Sequence, residues 1–220
     1  STQDEIKKAL AGSTMSQIGY MFVGAGLGPA GYVFAIFHLL MHGMFKANLF
    51  LSAGSVMHGM NDQKNMRLYG ALRVALKVTV VAFICGFLGI SGLPPFDSWF
   101  SKDGIIDAAL GVNLFAGICA LAVAGMTAFY MTRILAMTFF GEERWEEGTH
   151  PHESPPVMTI PMLILGVGAL FGGLFFVYVA PIEEWLAPVT GFEAAHPPIP
   201  EIPLKLLSIA IAVVGIGIGW

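Results

Sequence analysis

The sequence has 220 residues, of which 55% are hydrophobic and 12% charged, with a mean hydropathy of +0.72 and a formal net charge of −4. Average globular chains carry about 25% charged residues, so roughly half the usual solvated surface is missing and a water-soluble globule is excluded. The negative balance comes from small loop clusters rather than a tail, which gives no reason to expect nucleic acid as a partner.

Apolar runs long enough to cross about 30 Å of hydrocarbon recur along the whole chain. They predict an all-α, polytopic transmembrane bundle with six passes, over 9–27, 30–57, 78–110, 112–140, 157–180 and 203–220. The first residue is Ser1, no signal peptide precedes the first pass, and the last pass is cut at Trp220; the expectation is a piece of a longer subunit. Gly26-Leu27-Gly28-Pro29-Ala30-Gly31 fits a dinucleotide-loop pattern literally. Lying between two membrane helices without a strand before it, it reads as a tight turn. The third pass is broken. From Val78 to Leu93 a helix would span only about 24 Å, and from Val78 to Leu110 about 50 Å. Pro94 and Pro95 follow Ser91-Gly92 between those limits, and proline removes an amide donor and clashes with the preceding turn. A discontinuous helix solves the length problem, and such helices often form ion sites. Cys85 and Cys119 are isolated within apolar runs and read as inert thiols.

Orientation follows the lysines and arginines. Lys7, Lys8, Lys64, Arg67, Arg73, Lys77 and Arg144 fall on one side, and Lys205 alone on the other. That asymmetry puts the first residues and the 58–77 and 141–156 loops in the cytoplasm (or matrix or stroma), with the Pro-rich 181–203 loop opposite.

Within Phe34–Ala53 the only ionisable residues are His38, His42 and Lys46. Steps of four keep them on one helical stripe with about 6 Å of rise between neighbours. A charged group at the centre of a membrane helix costs roughly 2.5–3.5 kcal/mol on insertion scales, so this face must look into the protein. Histidine and a desolvated lysine can both exchange protons near neutral pH, and a proton relay is the favoured reading. Metal binding is disfavoured because no cysteine or carboxylate in the stretch supplies a third ligand; structural hydrogen bonding is the other alternative. Lys102 and Asp103 follow the break, either carried to depth by the second half-helix or solvated at the start of a surface helix. Asp107 marks the far interface. Arg133, about 12 Å from its helix end, is either a snorkelling boundary anchor or a buried partner for a carboxylate. His58 is an accessory candidate for proton entry. His150-Pro151-His152-Glu153 offers metal-ligand types, but beside Glu142, Glu143, Glu146 and Glu147 a solvated acidic loop is the favoured reading. No nucleophile sits beside a base, so no redox or group-transfer chemistry is expected in this chain itself.

Four segments carry a family resemblance. They are Asp4-Glu5-Ile6-Lys7-Lys8 with Ser13-Thr14-Met15-Ser16-Gln17-Ile18-Gly19; His38-x-x-x-His42-x-x-x-Lys46 with Leu49-Phe50 and Gly54-Ser55; Asn61-Asp62-Gln63; and Ser91-Gly92-Leu93-Pro94-Pro95-Phe96 running to Phe100-Ser101-Lys102-Asp103. Thr127-Ala128-Phe129-Tyr130-x-x-Arg133 and His152-Glu153-Ser154-Pro155 extend it. In these the chain resembles the antiporter-like membrane-arm subunits of respiratory complex I (NADH:quinone oxidoreductase), most closely the L type, also known as mitochondrial subunit 5. The match is clear over about 1–157 and weaker afterwards.

The resemblance implies a fold of two inverted repeats, each with a broken helix. Residues 1–140 would hold most of the second repeat, 141–156 a cytoplasmic loop, and 157–220 accessory helices. It implies that His38, His42 and Lys46 belong to a central proton axis, with Lys102 the broken-helix lysine and Asp103 near the outlet. It also implies a multi-pass protein of an energy-transducing membrane, the bacterial plasma membrane first. Its partners would be lipid and other membrane-arm subunits, especially a neighbouring antiporter-like subunit. No cofactor is expected in this chain; flavin, iron–sulfur clusters and quinone would belong to other subunits. The competing expectations are the large subunit of a multisubunit Na+/H+ antiporter, which shares the lysine axis, and a purely structural membrane arm.

Overall fold

The computed structural model describes residues 3–193 and 197–220, and among them every long element is a helix. Of the predicted 181–203 loop, residues 194–196 lie outside the described set. In order the helices are α1 (Ile6–Gly26), α2 (Pro29–Gly59), α3 (Lys77–Ser91), α4 (Asp97–Val112), α5 (Leu114–Phe139), α6 (Pro156–Leu174), α7 (Ile182–Thr190) and α8 (Glu201–Gly219). A π turn, Phe175–Val179, prolongs α6. By length and composition α2, α5, α6 with its π turn, and α8 are apolar enough to cross a membrane. The other two expected passes take different forms. α1 is 21 residues long, about 31 Å, but too polar to qualify by hydropathy. The third pass is the α3–α4 pair.

The polarity of α1 has a definite geometry. Its buried residues are Ile6, Leu10, Ser13, Gln17, Tyr20 and Gly24, in steps of three and four that keep one face inward. Met15 and Phe22 point outward. From Ser13 onward the large apolar side chains Met15, Ile18 and Phe22 face the surroundings while Ser13, Gln17 and Tyr20 face the interior, the reverse of a water-soluble helix.

The α1–α2 turn is as tight as expected. Gly28 closes it at a φ of 73°, and a side chain on Gly31 would collide with the Gly24 carbonyl oxygen. The break also falls where the prolines put it. α3 ends at Ser91, Gly92 adopts the left-handed conformation at φ 78°, and α4 starts at Asp97. Each half is about 23–24 Å long at the helical rise.

At one end of the bundle the segment from Gln3, the 58–77 loop and the 141–156 loop meet, in agreement with their assignment to a common side. Arg67 and Arg133 both donate to Asp4, at 2.6 and 2.7 Å. Arg144 donates to the Arg67 and Met137 carbonyls, at 2.9 and 2.8 Å. The Arg67 guanidinium first, and Arg133 second, hold the Asp4 carboxyl below the usual carboxylate range. Two expectations are corrected. Glu153 is not merely solvated: its Oε2 accepts the Val78 and Thr79 amides, at 2.6 and 3.2 Å, and so caps the free N–H groups that open α3. And the 181–203 segment is not all loop. Ile182–Thr190 forms α7, with Pro181 at its N-cap, where no amide donor is needed, and Pro188 in its last turn.

Gly31→Ala should destabilise the full-length subunit by about 1–3 kcal/mol, the usual cost of overpacking, and lower its thermal unfolding midpoint. Gly12→Ala, with open space around the added methyl, should not. A second expectation concerns acid. Because the folded state depresses Asp4, its contribution is fully present above the unfolded-state pKa and is lost as pH falls through the folded one. The midpoint of Asp4→Asn should therefore lie below the parental value at pH 7, and the two should converge in acid scans.

Candidate functional site

The stripe predicted on α2 is buried as a unit: His38 is 0% exposed, His42 8% and Lys46 6%. Buried polar groups need polar company, and Lys46 and His38 find theirs on α1 and α4, with α5 supporting one of the contacts. Lys46 Nζ donates to Ser13 Oγ of α1 at 2.7 Å, and the Tyr130 hydroxyl of α5 donates to the same oxygen at 2.8 Å. His38 Nε2 lies 3.1 Å from Gln17 Oε1 of α1, and its Nδ1 lies 2.8 Å from Ser101 Oγ of α4. A neutral ring that donates from Nε2 to Gln17 would accept at Nδ1 from Ser101. His42 lies between these two positions along α2. Its ring is 6.4 Å from that of His38, and its Nε2 has no protein partner.

Lys102 is carried to depth by the second half-helix and is 1% exposed. Its Nζ donates to the Ile90 carbonyl at 2.9 Å and lies 5.5 Å from the Tyr20 ring centroid. Ile90 is in the last turn of α3, where carbonyls run out of intrahelical donors. The break therefore presents the negative end of α3 to the cation, and the ring face adds a second attraction. Asp103 points elsewhere. Both its oxygens lie 3.0–3.1 Å from Ser208 Oγ of α8, and it lines a cavity of about 310 Å³ with Asp107, Glu201 and Lys205. Among the described residues no ion pair joins Lys102 to Asp103.

The accessory candidates sit apart from this row. Arg133 binds Asp4 and the Gln3 carbonyl at the loop end, so it both snorkels and pairs with a carboxylate, from a half-buried rather than a buried position. His58 is exposed, with its ring 5.6 Å from that of His152.

Sequence reasoning passed over the residues that hold the row. Ser13, Gln17 and Tyr20, in steps of four and three, form a ladder: Ser13 meets Lys46, Gln17 meets His38, and Tyr20 meets Lys102. Their spacing was the available signal. Asp97 was missed too. It is fully buried in the first turn of α4, accepting the Gly173 amide on Oδ1 while Oδ2 has no protein partner.

The family model described as NADH:quinone oxidoreductase/Mrp antiporter, TM, matches residues 1–128. The chain is 52% identical over 224 residues to NADH-quinone oxidoreductase subunit L of Mycobacterium tuberculosis, covering 99% of this chain and 35% of that protein. It is 45% identical to the subunit L of Rhodobacter capsulatus, over 78% of this chain and 26% of that one. With NAD(P)H-quinone oxidoreductase chain 5 of a Picosynechococcus species it shares 43% identity, over 79% of this chain and 30% of that one. It thus spans about a third of the length of these relatives. Among solved structures, a chain of the Mrp complex from a Dietzia species superposes with a TM-score of 0.70 at 21% identity, over 99% of this chain and 46% of that one, which establishes the shared fold. The polytopic helical architecture, the broken helix and the family match over more than half the chain agree: this chain belongs to the NADH:quinone oxidoreductase/Mrp antiporter transmembrane family.

Proposed function

We propose that the chain is part of a proton-translocating, L-type membrane-arm subunit of an NADH:quinone oxidoreductase. In this reading protons move along Lys46, His42 and His38 to Lys102, and leave by Asp103 towards the compartment opposite the basic loops. Quinone reduction elsewhere in the complex drives the movement; flavin, iron–sulfur clusters and quinone belong to other subunits. Residues 1–140 act as the second antiporter-like repeat and 157–220 as accessory helices, beside a neighbouring antiporter-like subunit, in a bacterial plasma membrane. The 52% identity to a protein named subunit L supports the choice of complex.

One observation carries the reading of the site. Four exchangeable side chains lie buried on two helices, and three of them are held by neutral hydroxyl, amide, carbonyl or ring partners rather than by carboxylates. A carboxylate would lock each lysine in its charged form by a strong ion pair. Neutral partners leave the amine free to gain and lose its proton, which conduction requires. Static packing lysines would be better served by ion pairs.

Lys46→Ala and Lys102→Ala, made separately in the intact complex, test this. Each variant should assemble yet lose proton uptake into vesicles by roughly tenfold or more, the rate equivalent of about 1.4 kcal/mol on the barrier. Quinone reduction should fall with it. Parental pumping by both assembled variants would contradict the path. Sodium-dependent exchange without NADH-linked turnover in the parental complex would move the assignment to the antiporter branch.

A further inference from the structure

The far end of the row is completed by a helix outside the region that the family model matches. That region ends at residue 128, yet α8 packs alongside α5. A side chain on Gly215 or Gly219 of α8 would run into the Gly125 or Phe129 carbonyl of α5. The close approach brings Ser208, 5% exposed, against Asp103, 7% exposed. Ser208 Oγ lies 3.0 and 3.1 Å from the two carboxyl oxygens of Asp103 and 3.2 Å from the Lys205 carbonyl. A hydroxyl has one proton to give and two lone pairs with which to accept, so the three contacts cannot all be donated at once.

That surplus of acceptors matters if Asp103 changes charge. When Asp103 is ionised, the Ser208 hydroxyl donates to it, a charge-assisted bond to a carboxylate otherwise buried at this point. When Asp103 carries a proton, its O–H donates to Ser208 Oγ, and the Ser208 hydroxyl turns to the Lys205 carbonyl. Both states are satisfied without moving the backbone. A carboxyl fixed by a donor-only group, such as a lysine, would be held in one of them. The surroundings are consistent with an outlet. Asp103 opens onto the cavity of about 310 Å³ that Asp107, Glu183, Glu201 and Lys205 also line. Lys205 is occupied by Glu201 one turn away and sits 5.7 Å from the Trp99 ring centroid, so it does not pair with Asp103.

We infer that Ser208 of α8 is a positioning residue for proton release, orienting the Asp103 carboxyl towards the far-end cavity in both of its protonation states. The proton itself stays on the Asp103 carboxyl until it leaves to the cavity; Ser208 exchanges hydrogen-bond direction only. The inference rests on the reading of Asp103 as the outlet, and it makes an accessory helix part of the path.

The test compares Ser208→Ala, Ser208→Cys and Ser208→Thr with Asp103→Asn in the intact complex, reading the rate of proton uptake into vesicles. Ala and Cys keep the volume near that of serine but remove or weaken the hydrogen bond, whereas Thr keeps the hydroxyl and adds a methyl group. Positioning predicts that Ala and Cys lose about tenfold in pumping rate while Thr stays within about twofold of the parent. A packing role predicts the reverse order, with the bulkier Thr worst, and that order would overturn the inference. If Ser208→Ala does not assemble, the Cys and Thr pair decides alone, and equal pumping by the two refutes it. Impaired Asp103→Asn with parental Ser208→Ala would overturn the role of Ser208 and leave the outlet standing. Parental Asp103→Asn would remove the outlet reading itself, and this inference with it.

Discussion

An ammonium group at membrane depth must have something to bond, and most of this structure follows from meeting that demand for two lysines. Lys46 is served by a hydroxyl from α1 that a tyrosine on α5 supports in turn. Lys102 is served by the broken end of α3 and by the face of Tyr20. In both cases the partner is neutral or a partial charge. Stabilisation is thus sufficient to bury the side chain but weaker than a carboxylate would provide, which is the balance that the proposed proton release needs.

That demand explains features that otherwise look unfavourable. α1 is too polar for an ordinary membrane helix because its inner face supplies the ladder of Ser13, Gln17 and Tyr20. The third pass is interrupted because an unbroken helix would consume the carbonyl that Lys102 uses. The two features cooperate, since Tyr20 on the ladder reaches the lysine that the break seats. Small residues then let the helices approach closely enough for such short side chains to reach. Gly31 permits the α1–α2 contact, and Gly215 and Gly219 permit the approach of α8 to α5. Outward, the bundle shows large apolar side chains such as Met15, Phe22, Ile160 and Val213.

How much of this was legible beforehand depended on how far each signal reaches along the chain. His38, His42 and Lys46 stood out because their spacing is local and their residue types are expensive in lipid. The break stood out because two consecutive prolines admit few alternatives. The partners were harder to see, since serine, glutamine and tyrosine are common on packed helices and their bonds to Lys46, His38 and Lys102 join distant segments. Glu153 was hidden for the same reason: in an acidic loop it resembles its solvated neighbours, and only folding brings it to the start of α3, 75 positions away. α7 was obscured by the prolines around it, one of which begins the helix rather than preventing it. Ser208 carried no signal at all, being one hydroxyl in an apolar run.

The central claim is that the buried row conducts protons, which across about 6 Å of rise between neighbours needs bridging water, rather than forming a set of dry packing contacts. High-resolution cryo-EM density of the full-length subunit in its native complex tests it most directly. The path predicts ordered waters bridging Lys46, His42, His38 and Lys102, with one on the unpartnered His42 Nε2 and others between Lys102 and Asp103. Density showing those gaps closed by apolar side chains, with no water along the row, would contradict it.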